Sequence, residues 1–422
     1  MFSNMLKPYR FYGIAQMLLI WILPHYLSYS QPQITSLDTP LFIEKFRGFR
    51  RSALNLIGNT GNNNNKFEMN LKMGKLQKQY PPDYPFFCNT TGMRSATVPS
   101  SVDKLRPGDI DIIGAIGDSL TAGNGAMATK VLEVLVENKG ISWSIGGQST
   151  WKQFLTLPNI LKQYNPNLYG YAIRDTVSTS KASRFNAAEG GSMSQDIPHM
   201  ARNLVKRMLH DPNVDMKNHW KLITLLIGGN DFCSNICYTN PPEKALQYHE
   251  SNMLTALRIF RDYLPRTFVN LVSSPNVDIL NHMKRKPHEC VTMHVVECPC
   301  FIATRFVSQR RRFIKLIEQW NLLQMDIANR KEFHNKPDFT VVNQPFIMNI
   351  SIPDKPNGDT DFSYMSADCF HLSQKGNARA SNALWNNMLE PVGRKSVSWD
   401  HEFSNFKCPS PEMPYFRTIG NS

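Results

Sequence analysis

The stretch "DIIGAIGDSLTAGNGA", residues 111–126, contains the signal that decides the fold. An apolar run from Ile110 to Ile116 ends there in a glycine-rich turn that holds an Asp-Ser pair, Asp118 and Ser119. Short apolar runs rich in Ile are typical of buried parallel strands, and α/β folds place reactive groups at the carboxyl ends of such strands. The glycines therefore either cradle a phosphate or hold a reactive serine at a strand tip.

The phosphate interpretation does not fit the spacing. "GNGAMA", residues 123–128, matches G-x-G-x-x-A, but the apolar run ends near Gly117 and not directly before Gly123. A dinucleotide fingerprint also needs an acidic residue about 20 positions later, and Glu133 and Glu137 are too close. The sequence contains no G-x-x-x-x-G-K-[ST] phosphate loop. The pattern favours a nucleophilic serine.

A nucleophilic serine needs a base within hydrogen-bond reach and a third group that orients the base. The segment "ADCFH", residues 367–371, supplies both, because Asp368 precedes His371 by three residues and the two side chains can project from one turn. Ser119, His371 and Asp368 are therefore the candidate catalytic residues. The alternative is structural, with Asp368 capping the following helix and His371 at the surface.

Catalysis by such a serine also requires donors for a negatively charged oxygen. "LLIGGNDFC", residues 225–233, ends a predicted strand with Asn230, whose side-chain amide is a candidate donor. "FNAAEGGSMSQDI", residues 185–197, offers the backbone amide of Gly191. Together with the amide of Ser119 these groups form a candidate oxyanion hole, although asparagine and glycine also serve simply as turn formers.

Apolar patterning along the chain alternates between strand-like and helix-like segments. Short apolar runs predict strands at 109–116, 221–227, 266–274 and 338–346. Amphipathic stripes predict helices at 194–209, 241–264 and 373–389. This alternation predicts a doubly wound α/β domain with a mostly parallel sheet.

The blocks around Ser119, Gly191, Asn230 and the Asp368–His371 pair, taken in this order, resemble the GDSL, or SGNH, hydrolase superfamily. The sequence between the blocks is similar to that of the phospholipase B branch of this superfamily. The segments that carry this similarity include "SWSIGG" (142–147), "TLPNILKQYNPNLYG" (156–170), "QPF" (344–346) and "ALWNNMLEPVG" (383–393). The resemblance covers about residues 85 to 420.

The resemblance implies a flavodoxin-like three-layer α/β/α domain that hydrolyses esters without a cofactor or metal. In that family pattern Ser119, Asp368 and His371 are catalytic, and Ser119, Gly191 and Asn230 form the oxyanion hole. The implied substrates are phospholipids and lysophospholipids at micelle or membrane surfaces. Two alternatives remain: an esterase acting on other lipid or carbohydrate esters, and a catalytically quiet lipid-binding relative.

The chain divides by composition into a signal peptide (1–30), an N-terminal extension or propeptide that is partly disordered (31–84), the hydrolase domain (85–405) and a C-terminal tail (406–422). Lys7 and Arg10 before the apolar stretch 11–27 are typical of a signal peptide. The asparagine-rich segment 58–70 has little to bury, which predicts a loose chain. Membrane-associated relatives carry tandem copies and a C-terminal membrane span, whereas this sequence has one copy and no such span. The sequence thus predicts a secreted protein with peripheral membrane contact.

Eight cysteines behind a predicted signal peptide indicate disulfides formed in an oxidising compartment. Their pairing stays open, although Cys233 and Cys237 are close enough for a local loop. The cysteines and histidines of residues 288–300 raise the alternative of zinc, but their spacing matches no standard finger. Asn89 and Asn349 lie in N-x-[ST] sequons, which fit a glycosylated protein.

The formal net charge of the chain is +13. Such a balance favours anionic partners, among them nucleic acid, acidic glycans and anionic lipid surfaces. The basic residues are mostly dispersed, and the densest run, Arg310 to Arg312, is expected on the solvated face of a helix. Zinc-finger and aromatic RNA-binding patterns are absent. The sequence predicts no nucleic-acid partner and no obligate protein partner.

Overall fold

The computed structural model describes residues 63–422, together with Gly48, Phe49, Ser52, Asn55, Ile57, Thr60 and Gly61. The predicted signal peptide lies outside these residues, as do 25 of the 54 residues of the predicted extension. The strands are β1 Ile110–Gly117, β2 Trp220–Leu226, β3 Thr267–Val272 and β4 Phe339–Gln344. The helices are α1 Asn64–Lys72, α2 Ser119–Ala122, α3 Leu157–Leu161, α4 Ile197–Leu209, α5 Lys244–Tyr263, α6 Ile279–His282, α7 His288–Glu297, α8 Pro299–Ile302, α9 Arg310–Ala328 and α10 Gln374–Leu389. None of these helices combines the length and the apolar character needed to cross a membrane.

The four strands form one parallel sheet in the order β1-β2-β3-β4. Their carboxyl ends lie level with one another, because Gly117 pairs with Leu226, Leu226 with Val272, and Val272 with Gln344. The mostly parallel α/β sheet predicted from the sequence is confirmed. The loops that leave these four carboxyl ends therefore meet at one edge of the sheet, where such folds carry their sites.

Successive residues of each strand face opposite helical layers. In β2, Leu222 packs into a core shared with α3 and α10, whereas Ile223 packs into a core shared with α4, α5 and the end of α9. Side chains of a strand point alternately to its two faces, so a strand covered on both faces is mostly apolar. All seven residues of β2 are buried. The expected three layers, α/β/α, follow from this double burial.

Residues 63–84 belong to the predicted extension but pack on the domain. Asn70 of α1 is fully buried, and its Nδ2 donates to the carbonyl oxygen of Met127 at 3.0 Å. Gln77 Nε2 donates to the carbonyl oxygen of Trp151 at 2.9 Å. The low apolar content that predicts a loose chain is offset here by buried amide hydrogen bonds. The boundary predicted at residue 85 therefore falls within a segment that already contacts the domain.

The predicted C-terminal tail also contacts the core. Phe416 is fully buried, and its backbone N–H donates to the carbonyl oxygen of Leu105 at 2.9 Å. A disulfide between Cys408 and Cys88 fastens the same segment to the start of the domain. The last residues thus form part of the packed unit.

All eight cysteines are paired, as Cys88–Cys408, Cys233–Cys298, Cys237–Cys300 and Cys290–Cys369. The disulfides expected from the cysteine count are therefore present. The local loop considered between Cys233 and Cys237 is wrong, because each of the two reaches a cysteine more than 60 positions away. The zinc alternative for residues 288–300 also fails, since every thiolate that it needs is consumed in a disulfide.

Candidate active site

The turn after β1 is built around Gly117. Its φ is +153°, and a Cβ there would overlap the carbonyl oxygen of Leu226 on the neighbouring strand. Asp118 then caps the short helix α2, because its carboxylate accepts the backbone N–H of Leu120 at 3.0 Å. Ser119, the first residue of α2, is consequently held at the strand tip and is buried.

The clash at this turn gives a stability prediction. We expect Gly117→Ala to lower the free energy of unfolding by about 1–3 kcal/mol more than Gly393→Ala, because overpacking adds to the strain of a positive φ. Gly393 is the matched control, since its φ is +85° and open space surrounds its Cβ position. Urea unfolding midpoints measure the difference. Equal unfolding midpoints for the two variants would show that the turn after β1 accommodates a Cβ without loss of stability.

The structure joins Ser119, His371 and Asp368 in one hydrogen-bonded chain. Ser119 Oγ lies 2.8 Å from His371 Nε2, and His371 Nδ1 lies 2.5 Å from Asp368 Oδ2. Because the carboxylate only accepts, Nδ1 carries the proton, and Nε2 is left to accept from the serine hydroxyl. The other carboxylate oxygen of Asp368 accepts the backbone N–H groups of Phe370 and His371, both at 3.0 Å. Three donors thus fix a fully buried carboxylate in one orientation.

The attraction between Asp368 and His371 opposes the effect of burial on their pKa values. Burial disfavours the charged form of both groups, but the mutual attraction and hydrogen bond of Asp368 and His371 outweigh it. The pKa of Asp368 is therefore held below its ordinary value, and the pKa of His371 is raised to about 9. The pair favours an ionised carboxylate and an imidazole with strong affinity for a proton.

The two other predicted residues line the same cleft as Ser119 and His371. Asn230 and Gly191 contribute to its wall, and the cleft has a volume of about 300 Å³. Asn230 Nδ2 uses one hydrogen to donate to the carbonyl oxygen of Ser192 at 2.9 Å, which ties it to the Gly191 loop. Gly191 has a φ of +81°, a conformation that glycine adopts readily. The structure thus brings all five predicted site residues together.

Asp231 is a buried carboxylate next to Asn230 that the sequence reasoning did not single out. Its carboxylate accepts from Ser194, at 2.7 Å from Oγ and 3.0 Å from the backbone nitrogen, and so links the loop after β2 to the loop that carries Gly191. Burial raises the pKa of Asp231 to about 7 and that of Asp118 to about 6. The quoted segment 225–233 contains Asp231, but only its contact with Ser194 reveals the role.

A pair of short helices is cross-linked to both parts of the site. Cys290 of α7 bonds to Cys369, which lies between Asp368 and His371. At the other end of α7, Cys298 bonds to Cys233, in the π-helical turn directly after Asn230. His294 Nε2 adds a 2.9 Å contact to the carbonyl oxygen of Cys369. We call α7 and α8 with their three disulfides the α7–α8 clamp.

A cavity lined almost wholly by apolar side chains adjoins Ser119. Ser119 and Asn230 form part of its wall, so it begins at the serine side chain. The apolar lining comes from several elements and includes Trp143, Leu226, Val277, Leu280, Met283, Phe346, Ile350, Met365 and Trp399. Such a space matches a hydrocarbon chain better than a polar ligand.

Exposed aliphatic side chains border the cleft mouth. Leu135 and Val296 line the cleft itself and are 38% and 67% exposed. The 3₁₀ helix Val131–Leu135 and α7, which carry them, also expose Leu132, Val291 and Val295. We call these five side chains the cleft rim. Exposed apolar side chains beside a cleft fit a surface that meets an apolar partner.

A serine, an imidazole and a carboxylate at the carboxyl edge of a parallel α/β sheet define the class of serine hydrolases. The family model GDSL-like Lipase/Acylhydrolase matches residues 113–384, from within β1 to within α10. The chain therefore belongs to the GDSL-like lipase/acylhydrolase family, a family of carboxylic ester hydrolases.

Three curated relatives are similar over 80% of this chain. They are proteins named phospholipase B1, membrane-associated, from Homo sapiens (38% identical over 343 residues), Mus musculus (37% over 344) and Rattus norvegicus (36% over 342). The aligned part is 23%, 22% and 23% of their respective lengths. The chain thus spans less than a quarter of each of these relatives.

Proposed function

We propose that the protein hydrolyses acyl ester bonds of phospholipids and lysophospholipids, with Ser119 as nucleophile, His371 as general base and Asp368 as the group that orients the base. The observation that carries the proposal is the chain of hydrogen bonds from Ser119 Oγ to Asp368, at 2.8 and 2.5 Å, beside an apolar cavity. The names of the relatives agree with this substrate class.

In the first half of the reaction Ser119 Oγ attacks the acyl carbonyl carbon and gives its proton to His371 Nε2. The oxyanion accepts hydrogen bonds from the backbone N–H of Ser119 and Gly191 and from the side chain of Asn230. His371 then protonates the departing oxygen, so that a lysophospholipid or a glycerophosphodiester leaves. General base help contributes about 10² to 10⁴ in rate, and one oxyanion donor about 10² to 10³.

In the second half a water molecule attacks the acyl-enzyme. His371 Nε2 takes the proton of the water and returns it to Ser119 Oγ as the ester bond of the intermediate breaks. A fatty acid leaves, and the starting hydrogen-bonded chain is restored. Asp368 stays ionised throughout, because its three donors stabilise the charged form.

The apolar cavity favours esters of long acyl chains over esters of short ones. Each methylene moved out of water contributes about 0.8 kcal/mol, so a long chain outcompetes an acetyl group in such a space. The test is a series of esters from acetyl to palmitoyl, on glycerol, on phosphatidylcholine, on lysophosphatidylcholine and on a sugar. We expect fatty acid release to rise with chain length on the two phospholipids. A preference for sugar acetates would replace this proposal by the carbohydrate-ester alternative.

The cleft rim supports a substrate presented in a lipid aggregate. We expect Leu132→Asp and Val295→Asp to lower hydrolysis of phosphatidylcholine vesicles about tenfold, because a charge replaces a side chain that enters the lipid surface. Hydrolysis of a soluble short-chain ester should stay within about twofold, since neither residue lines the cleft.

Leu209→Asp is the matched control for the rim. Leu209 is 55% exposed but ends α4, thirteen residues along a helix that begins after the Gly191 loop and therefore about 18 Å away. This variant should leave vesicle hydrolysis unchanged. Equal losses on vesicles and on the soluble ester for the rim variants would count against surface docking.

Secretion is part of the proposal. Its support is the full pairing of all eight cysteines, since disulfides persist in oxidising compartments. The sequon residues Asn89 and Asn349 are both exposed, as glycosylation requires. The predicted signal peptide would supply the route.

A further inference from the structure

Glu297 lies beside the catalytic pair but has no part in the mechanism described above. A carboxylate oxygen of Glu297, a carboxylate oxygen of Asp368 and a ring nitrogen of His371 lie within 4.8 Å of one another. Glu297 also lines the cleft together with Ser119 and His371. Its Oε2 is buried, and no N–H or O–H group of the described residues donates to it. This position suggests that Glu297 acts on the Asp368–His371 pair.

The α7–α8 clamp fixes this position. Glu297 is the last residue of α7, and the next residue, Cys298, is bonded to Cys233. The first turn of the same helix is bonded through Cys290 to Cys369, which is itself between Asp368 and His371. The helix therefore cannot move away from the catalytic loop while these cross-links are intact. Glu297 is held at the pair by the covalent frame and not by a flexible side chain alone.

Two carboxyl groups this close cannot both ionise without strong repulsion, so one of them holds a proton. Asp368 accepts three N–H bonds, from Phe370, from the backbone of His371 and from its ring, and these favour its charged form. The proton therefore goes to Glu297, and burial together with the charge of Asp368 raises the pKa of Glu297 to about 8. A neutral Glu297 can donate its O–H to the carboxylate of Asp368.

We propose that Glu297 is a positioning residue of the catalytic unit, a neutral carboxylic acid that donates a hydrogen bond to Asp368 and holds that carboxylate against His371. The inference rests on the proposed function, because it assigns Glu297 to the same Ser-His-Asp chain. When Glu297 loses its proton at alkaline pH, the new negative charge raises the pKa of His371 further.

Other charged and titratable groups also face this cluster. Asp118, behind Ser119, raises the pKa of His371, and the buried amine of Lys75 interacts with Asp368. On α7 itself His294 interacts with Asp368, and Glu289 interacts with Lys75. Among these groups Glu297 is the carboxyl that shares a site with the Asp368–His371 pair, and replacing it leaves the others in place.

The test compares Glu297→Gln and Glu297→Ala with the wild type by kcat/KM on a soluble short-chain ester from pH 5 to 10. Glutamine keeps a donor and stays neutral, so we expect its activity below pH 7 to lie within about twofold of the wild type. The midpoint of its acidic limb should lie at lower pH, because in this variant no second negative charge develops near His371 at alkaline pH. Alanine removes the hydrogen bond to a charged group, and we expect about a tenfold loss below pH 8, where Glu297 of the wild type still holds its proton.

Glu289→Gln is the matched control, since it makes the same change at an exposed position of the same helix. It should leave both rate and profile unchanged. The proposal is overturned if the Glu297→Gln profile superimposes on that of the wild type, or if glutamine is as damaging as alanine. Should the alanine variant not fold, the glutamine comparison still decides.

The pH dependence of fluorophosphonate labelling separates this inference from the proposed function. Labelling of Ser119 requires the base His371 but no lipid, so its acidic limb should shift in Glu297→Gln even if phospholipids prove not to be the substrates. A wild type that labels but does not release fatty acid would refute the substrate class alone. An unshifted labelling limb would refute the role of Glu297 alone.

Discussion

Ser119→Ala is expected to lower fatty acid release from lysophosphatidylcholine by about 10⁶-fold, to the level set by binding and oxyanion donors alone. The change removes only Oγ, which touches His371 Nε2 at 2.8 Å. Packing should be preserved, because the turn is set by Gly117 and by the cap from Asp118. The measurement is fatty acid titration in the presence of a calcium chelator, beside the unfolding midpoint.

Ser234→Ala controls for a serine in the same cleft. Ser234 lines that cleft but does not take part in the chain from Ser119 to Asp368. It should keep nearly full activity and full labelling by a fluorophosphonate, whereas Ser119→Ala should not label. Turnover retained in Ser119→Ala would remove Ser119 from the mechanism, and loss of the label in Ser234→Ala would move the nucleophile there.

Asp368→Asn is expected to lower kcat about 10⁴-fold and to move the acidic limb of kcat/KM to lower pH. The rate falls because the asparagine oxygen accepts the two backbone N–H groups and leaves the NH2 group facing Nδ1 of His371, which then cannot carry its proton there. A neutral amide also does not stabilise the imidazolium that forms. The limb moves because the attraction of the Asp368 carboxylate raises the pKa of His371.

The sign of the pH effect follows from the role of the base. Only neutral His371 accepts the proton of Ser119, so activity rises with pH up to the pKa of His371, about 9 in the wild type. Below that value the rate should fall about tenfold per pH unit. Asp354→Asn, an exposed carboxylate that pairs with Lys284, should leave the limb in place. A wild-type limb at the value of free imidazole would contradict the raised pKa.

The sheet and the main site could be predicted from the sequence because their signals are local. Runs such as 221–227 are apolar at five of seven positions, as a strand buried on both faces favours, and β2 lies at Trp220–Leu226. The Gly-Asp-Ser turn and the Asp-x-x-His spacing are local signals too, because in each of them residues close in sequence serve the same chemical step. Four such blocks in order placed Ser119, Gly191, Asn230, Asp368 and His371, whose roles remain proposals.

The remaining features depend on contacts between distant residues, which composition does not carry. Disulfide pairing joins positions 63 to 320 residues apart, so spacing suggested a local Cys233–Cys237 loop that does not form. The sequence of residues 63–84 predicts a loose chain because it contains few apolar residues. In the structure, buried amide hydrogen bonds hold this segment in place of apolar burial. Glu297 carried no signal of its own, since only the clamp brings it to Asp368.

The α7–α8 clamp links the geometry of the site to disulfide formation. Its three cross-links close loops of 63, 65 and 79 residues, and each removes about 4 kcal/mol of chain entropy from the unfolded state in the simplest treatment. Two of them attach within three residues of Asn230 and His371, at Cys233 and Cys369. A chain with free thiols would lack this covalent frame, so we expect its site to be held less firmly than that of the oxidised chain.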